Sequence, residues 1–269
     1  MPTVEDLLAV YDRRMRGLEP RPRAGVRYER DGRLLRGVGG HRGYISGPRD
    51  LGVTGAELDR LIARQRDYFA RRGEAVGWQA RAHDEPADLT VRLRAAGFAP
   101  GEEQTVLVGL TAGLATAPVL PGGVVLRRVT ANDDMRRIAA MQSAVWGADF
   151  TWLGEVLIGR IAAAPDDIAV LAAEAGGEVV SAAWLAFFPP GPGSFARLLG
   201  GSTLPQWRGR GIYRALVAAR AQRAAARGVR YLQVDASNDS APILRGLGFQ
   251  AVTTTTTYVW TPPSPARPG

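Results

Sequence analysis

The chain is 269 residues long, carries a formal net charge of +8 and has no cysteine. That length gives room for two compact domains, each with its own core, and the lack of cysteine excludes a disulfide framework and a thiolate metal site. Its 34 basic residues are all arginine and are spread without a polybasic block, so the charge suits an anionic small ligand better than nucleic acid.

The N-terminal stretch "MPTVEDLLAVYDRRMRG" is acidic and then basic, with no apolar leader core. No apolar run approaches the roughly 20 residues that span a bilayer. The expectation is a cytoplasmic protein without a membrane partner. His41 and His83 lack the spacing of a metal pair and read as surface or loop residues. Residues 58–73, "LDRLIARQRDYFARRG", have helical spacing, and 91–108, "VRLRAAGFAPGEEQTVLV", read as a helix, a Gly-Phe turn and a strand. The loop "TAGLATAPVLPGG" (111–123) reads as an inter-domain linker.

Downstream, "VVLRRV" (124–129) is strand-like, and "NDDMRRIAAMQSAVWG" is a helix capped by Asn132 or Asp133. A second helix follows near 152–164. Strands around 168–174 and 178–188 flank "AGGE", a hairpin signal. "SFARLLGGSTL" is a strand whose Gly200 and Gly201 predict a bulge or a close backbone approach. A helix over about 211–227 ends at Gly228. "YLQVDA" is a strand, "SAPILRGLG" a short helix and "FQAVTTTTTYVW" a long strand whose threonines read as strand formers. The expected domains are 1–110 and 124–260, with a linker at 111–123 and a disordered tail at 261–269.

The turn "TLPQWRGRGIYRAL" (203–216) leads from the glycine-broken strand into the long helix. A helix N-terminus carries unpaired N–H groups and partial positive charge, and glycine lets an oxyanion approach the main chain. Arg208 and Arg210 add cations. The stretch suits a phosphate or pyrophosphate, although a tight turn alone also uses such residues. A Walker loop is excluded, since lysine is absent. A G-x-G-x-x-G dinucleotide fingerprint fails because Arg214 stands at its third position.

"QWRGRGIYRAL" resembles the Q/R-x-x-G-x-G/A signature of the GNAT family of N-acetyltransferases, and "VDASNDSAPILRGLGF" (234–249) resembles their later strand, N-x-x-A, helix and Gly-Phe segment. The resemblance covers roughly 124–260. It implies an α/β fold with a mixed, mostly antiparallel sheet, flanking helices and a splay where a thioester enters. It implies acetyl-CoA as acyl donor, held by the Gln206–Trp207 turn, with pyrophosphate on the main chain of Arg208, Gly209, Arg210, Gly211, Ile212 and Tyr213. The strand at Leu199, Ser202 and Thr203 would offer backbone groups to the pantetheine arm. Asn238 matches the family asparagine near the thiol, and it equally suits a helix cap.

The upstream half repeats the pattern. Phe98 to Val108 and Phe249 to Val259 span the same interval, while Val53, Thr54 and Ala56 stand where Arg208, Gly209 and Gly211 stand downstream. Residues 1–110 therefore read as a tandem, degenerate copy without the anion cradle.

Catalytic groups are sparse. Leu244 occupies the place of the family's proton-donating tyrosine, and the bulged strand lacks the glutamate often used as base. Asp235 is the candidate base acting through water. Ser240, with Ser237, is a candidate donor that equally caps a helix. Trp146, Trp152 and Trp184 fit an acceptor pocket or the core, and "FFPPGPG" (187–193) fits a rim loop. The expected activity is acetyl transfer to an amine of a small molecule or peptide, by a monomer or homodimer. An acyl-CoA-binding sensor is the alternative, and nucleic-acid binding rests only on charge.

Overall fold

The computed structural model describes residues 2–16, 25–189, 191 and 193–263. Most of the 261–269 tail, and residues 190 and 192 of the rim loop, lie outside the described residues. The chain divides into two compact units, residues 1–106 with 252–269, and residues 107–251.

In the first unit, helix α1 (Val4–Tyr11) opens on a capping box in which Thr3 and Asp6 each accept from the other's backbone N–H. A π-helical turn, Asp12–Arg16, continues it. Strands β1 (Arg27–Asp31), β2 (Leu34–Val38) and β3 (Gly43–Ser46) form an antiparallel meander, and β3 runs parallel to β4 (Val76–Arg81). The crossover is α2 (Gly55–Arg71). Its buried Leu58, Leu61, Ile62, Gln65 and Phe69 lie at helical spacing, and the four apolar ones pack with Leu34, Ile45, Val76 and Trp78. Helix α3 (Leu89–Ala95) ends at Gly97, whose φ of +89° only glycine adopts readily, and turns Phe98 into the core.

Strand β5 (Ala99–Leu110) passes from the first unit into the second between Val106 and Leu107. Helix α4 (Thr111–Leu114) follows within the sequence-drawn linker. Strands β6 (Val124–Val129), β7 (Ile168–Ala175), β8 (Glu178–Phe187) and β9 (Phe195–Thr203) are successive antiparallel neighbours, and β9 is parallel to β10 (Tyr231–Ala236). Helices α5 (Asn132–Trp146) and α6 (Thr151–Ala163) cover one face, burying Met135, Ile138, Leu153 and Leu157 against Val170 and Trp184. Helix α7 (Ile212–Ala225) and α8 (Ala241–Gly246) cover the other, burying Val217, Ala221 and Leu244 against Leu185, Leu198 and Leu232. The fold is α/β, an open mixed sheet with flanking helices, as the sequence implies.

Two local expectations change. Helix α5 has Ala131 at its N-cap and no side-chain cap bond, so neither Asn132 nor Asp133 caps it. Asp134 instead accepts from the Arg127 guanidinium, at 2.6 and 3.1 Å, and ties the first turn to β6. Strand β11 (Gln250–Trp260), drawn from sequence with the downstream half, pairs antiparallel with β4, from Thr255 opposite Arg81 to Trp260 opposite Val76. From Val252 onward it belongs to the first unit. Alternation identifies a strand but does not say which edge it joins.

Candidate active site

The site begins where two parallel strands part. Strands β9 and β10 pair only at Phe195–Tyr231, Ala196–Leu232 and Arg197–Gln233. Beyond that crotch, Leu198–Thr203 and Val234–Ala236 continue without pairing to each other. On its other side β9 pairs with β8, with an irregular register between Ala182 and Trp184. Gly200 has φ +61°, and a Cβ there would lie 1.9 Å from Cη2 of Trp184. The indole fills the place of the missing side chain, so the bulge requires glycine on both conformational and steric grounds.

Strand β9 leads through Leu204 into a 3-10 turn, Pro205–Trp207, and then Arg208, Gly209, Arg210 and Gly211. Gly209 has φ +74° and Gly211, the N-cap of α7, φ +83°. A Cβ on Gly209 would meet nothing within 4 Å, and one on Gly211 only the Val119 carbonyl at 4.0 Å. Glycine is needed here for φ, and the space above the main chain is open. The helical ladder starts with Ala215 N–H donating to the Gly211 carbonyl at 3.0 Å, which leaves Ile212, Tyr213 and Arg214 with amides ahead of it. The two arginines are anchored: Arg208 Nε donates to the Thr203 carbonyl at 3.1 Å, and the Arg210 guanidinium lies 4.7 Å over the Trp207 ring. Gln206 is exposed. Next to this turn is a cavity of about 450 Å³ lined by Leu114, Val119, Leu120, Arg210, Gly211 and Arg214, among others. An open glycine cradle, free helix amides and arginines beside an apolar hollow are chemically fitted to a nucleotide diphosphate.

Behind the bulge is a layer that sequence reading missed. Buried Gln142, on α5, donates to the Gly200 carbonyl at 2.8 Å and accepts from Ser202 Oγ at 2.9 Å and Trp146 Nε1 at 3.0 Å. Thr203 Oγ1 bonds to buried Ser181 Oγ at 2.8 Å. The Ser202 and Thr203 side chains are therefore committed inward, and the Ser202 carbonyl also accepts from Ser181 Oγ, at 2.7 Å. Leu199 and Tyr213 are half-buried. A Cβ on Gly201 would lie 2.8 Å from Cε2 of Tyr213, so the second glycine makes room for that ring. Burial pushes the Tyr213 phenol up from its ordinary value, against a pull downward from Arg220 and the Ser240 side chain.

Across the crotch, Arg197 Nε donates to Gln233 Oε1 at 2.6 Å, and Gln233 Nε2 donates to Asp235 Oδ1 at 2.6 Å. Asp235 is thus joined to this polar chain on a half-buried strand terminus. Ser240 Oγ lies 3.2 Å from Ser237 Oγ and makes no side-chain cap bond to α8. Asn238 is exposed in the turn before α8. Leu244 is fully buried in the core. Trp146 is exposed, Trp152 stacks on Phe150 at 5.8 Å, and Trp184 is core. No signal in the sequence separates Gln142 or Arg220 from surface residues of a polar helix face.

Comparison with known proteins gives a family match within the downstream unit. Residues 133–249 match the acetyltransferase (GNAT) family model. This downstream unit is a GNAT domain. The likeness to solved structures extends over nearly the whole chain. A GCN5-related N-acetyltransferase from Kribbella flavida superposes with a TM-score of 0.65 at 18% identity, covering 90% of this chain and 91% of that one. A tandem GNAT protein from the clavulanic acid biosynthesis pathway gives 0.62 at 14% identity, covering 98% and 96%. A GCN5-related N-acetyltransferase from Sphaerobacter thermophilus gives 0.59 at 17%, covering 88% and 76%. At such identities the likeness establishes a shared fold. No curated protein matches the chain. The GNAT domain contains the splay, the bulge and the glycine turn described above, and members of the family are acetyltransferases. Among the described residues, no helix is long and apolar enough to cross a membrane, and no cluster of three or more His, Cys, Asp or Glu side chains fits a metal ion.

Proposed function

We propose that this protein is an acetyl-CoA-dependent N-acetyltransferase acting on an amine of a small molecule or peptide. The observation that carries the reading is the parting of β9 and β10 after Arg197–Gln233 beside a helix that starts on two left-handed glycines. The main chain of Gly209 to Tyr213 would take the pyrophosphate, with Gln206, Trp207, Arg208 and Arg210 shaping the turn. Leu199, Ser202 and Thr203 would align the pantetheine arm through their backbone, and Asn238 would stand near its thiol end. The bound thioester supplies an activated acyl carbon, so holding a neutral amine against it provides much of the acceleration, on the order of several kcal/mol. Asp235, fixed by Gln233 and Arg197, is suited to receive the amine's proton through water, with Ser240 a nearby hydroxyl. The upstream unit, with Thr54 at the N-cap of α2, would be a degenerate copy that does not bind the cofactor.

Calorimetry with acetyl-CoA tests the binding half of this reading: heat of binding at micromolar concentrations is expected, and none would overturn it. Thiol release over an amine library tests the catalytic half. A second reading, an acyl-CoA-responsive sensor, is favoured by one observation, the buried Leu244 at the family's tyrosine position. Tight acetyl-CoA binding with no thiol release from any amine would select the sensor.

A further inference from the structure

Arg220 is the most anomalous charge in the second unit. It lies two turns along α7 from Tyr213 and is only 1% exposed, although arginine is almost never fully buried unless paired. Its Nε donates to the Leu216 carbonyl at 3.0 Å, one turn back. Its Nη1 lies 3.4 Å from the carbonyl oxygens of both Trp184 and Leu199, at the irregular β8–β9 register. A Cβ on Gly201 would sit 3.6 Å from its Nη2. The guanidinium is thus tucked under the β9 bulge from the α7 side. Among the described residues it has no carboxylate partner. The β8 and β9 backbones give it carbonyls alone, and the titratable group acting on it is Tyr213 from its own helix.

Neutral carbonyls satisfy hydrogen bonds but leave the charge uncompensated. An uncompensated buried charge is costly, and methionine of similar length would fill the volume at no such cost. Even with burial pulling its pKa down to about 10, Arg220 remains a cation at neutral pH. The strand segment above it is where the thioester of the proposed donor would lie. The usual means of handling the departing sulfur is absent, because Leu244 carries no proton.

Resting on the acyl-CoA reading, we propose that Arg220 is a positioning and electrostatic residue that lets the coenzyme A thiol leave as an anion, so that no proton donor is needed. In the transfer, the amine nitrogen bonds to the acyl carbon, the carbon–sulfur bond breaks, and its electron pair stays on sulfur as thiolate. The proton lost by the nitrogen passes through water to Asp235, the acceptor proposed above. The buried guanidinium provides the compensating charge across a low-dielectric wall, while its two carbonyl contacts hold the bulge in place.

The test uses free coenzyme A as the probe and reads its thiolate by ultraviolet absorbance during a pH titration of the complex. The bound thiol of the native protein is expected to ionise about one to two pH units below the thiol of free coenzyme A titrated alongside it. Arg220→Met should return it towards the free value, while Arg220→Lys, which keeps the charge, should retain most of the depression. An undepressed thiol in the native complex, or equal depression in Arg220→Met, would overturn the proposal while leaving the binding reading intact. The native measurement alone suffices for this if Arg220→Met does not fold. Failure of coenzyme A to bind the native protein would overturn both together.

Discussion

The Trp184 indole occupies the space that a side chain on Gly200 would need, with Cη2 only 1.9 Å from the position of that Cβ. Bulge geometry and indole packing are therefore one feature. Gly200→Ala must combine the strain of a left-handed alanine, about 1–2 kcal/mol, with displacement of a packed ring, about 1–3 kcal/mol. Chemical denaturation should show a loss of roughly 2–5 kcal/mol. Combining it with Trp184→Leu should recover the steric part and leave the strain. A double variant no better than the sum of the two single changes would mean that the ring and the glycine act independently.

At Gly211 the balance differs, because the space above its main chain is open. Gly211→Glu should cost only about 1–2 kcal/mol from the left-handed backbone and leave a cooperative unfolding transition. The added carboxylate would stand over the amides proposed for pyrophosphate, and like charges there should abolish acetyl-CoA binding in calorimetry. Native affinity in a folded Gly211→Glu protein would remove the anion role from this turn.

What was legible in the sequence was periodic or local. The α2 stripe from Leu58 to Phe69, the hairpin at Gly176–Gly177 and the helix stops at Gly97 and Gly248 are read from spacing and from glycine's access to positive φ. The bulge was legible as two adjacent glycines. Its supports were not, since Gln142 lies 58 residues from Gly200 and Arg220 stands 21 from Leu199. Helix α7 hid its inward arginine, because alanines surround it and the buried positions from Ala215 to Ala221 run all round the helix. The partner of β11 was equally hidden, as threonine alternation fits any edge. His83 reads as a loop residue, yet its ring joins Asp12 and Thr253, which are distant in the chain.

That imidazole gives a prediction about pH. Nε2 of His83 lies 3.0 Å from Asp12 Oδ2, Nδ1 lies 2.8 Å from Thr253 Oγ1, and Arg16 approaches Asp12 at 3.5 Å. Burial pushes the Asp12 carboxyl up, but His83 and Arg16 together outweigh it and hold the group below its usual range. A depressed carboxyl stabilises the fold above its unfolded value of about 4, and that stability is lost as pH falls through the folded value. Asp12→Asn should therefore lower stability at neutral pH by no more than about 1 kcal/mol, because solvent screens the half-exposed pair, with the gap to the native protein narrowing in acid below about pH 4. Urea titrations at pH 7 and pH 3 measure it. A gap of constant size at both would mean that the carboxylate charge contributes nothing.

Gln142 offers the sharpest separation of support from contact. Its amide holds the Gly200 carbonyl and receives Ser202 Oγ and Trp146 Nε1, so Gln142→Leu strands a half-buried carbonyl and a buried hydroxyl. Each unsatisfied group costs about 1–3 kcal/mol, and the combined loss should be near 2–4 kcal/mol by denaturation. Ser202→Ala removes one of those bonds and leaves the Gly200 tether intact. If the bulge aligns a pantetheine arm through main-chain groups, Gln142→Leu should weaken acetyl-CoA binding about tenfold or more, the equivalent of about 1.4 kcal/mol, while Ser202→Ala stays near native. Equal affinities in the two variants would show that the amide stabilises the strand without setting the shape of the site.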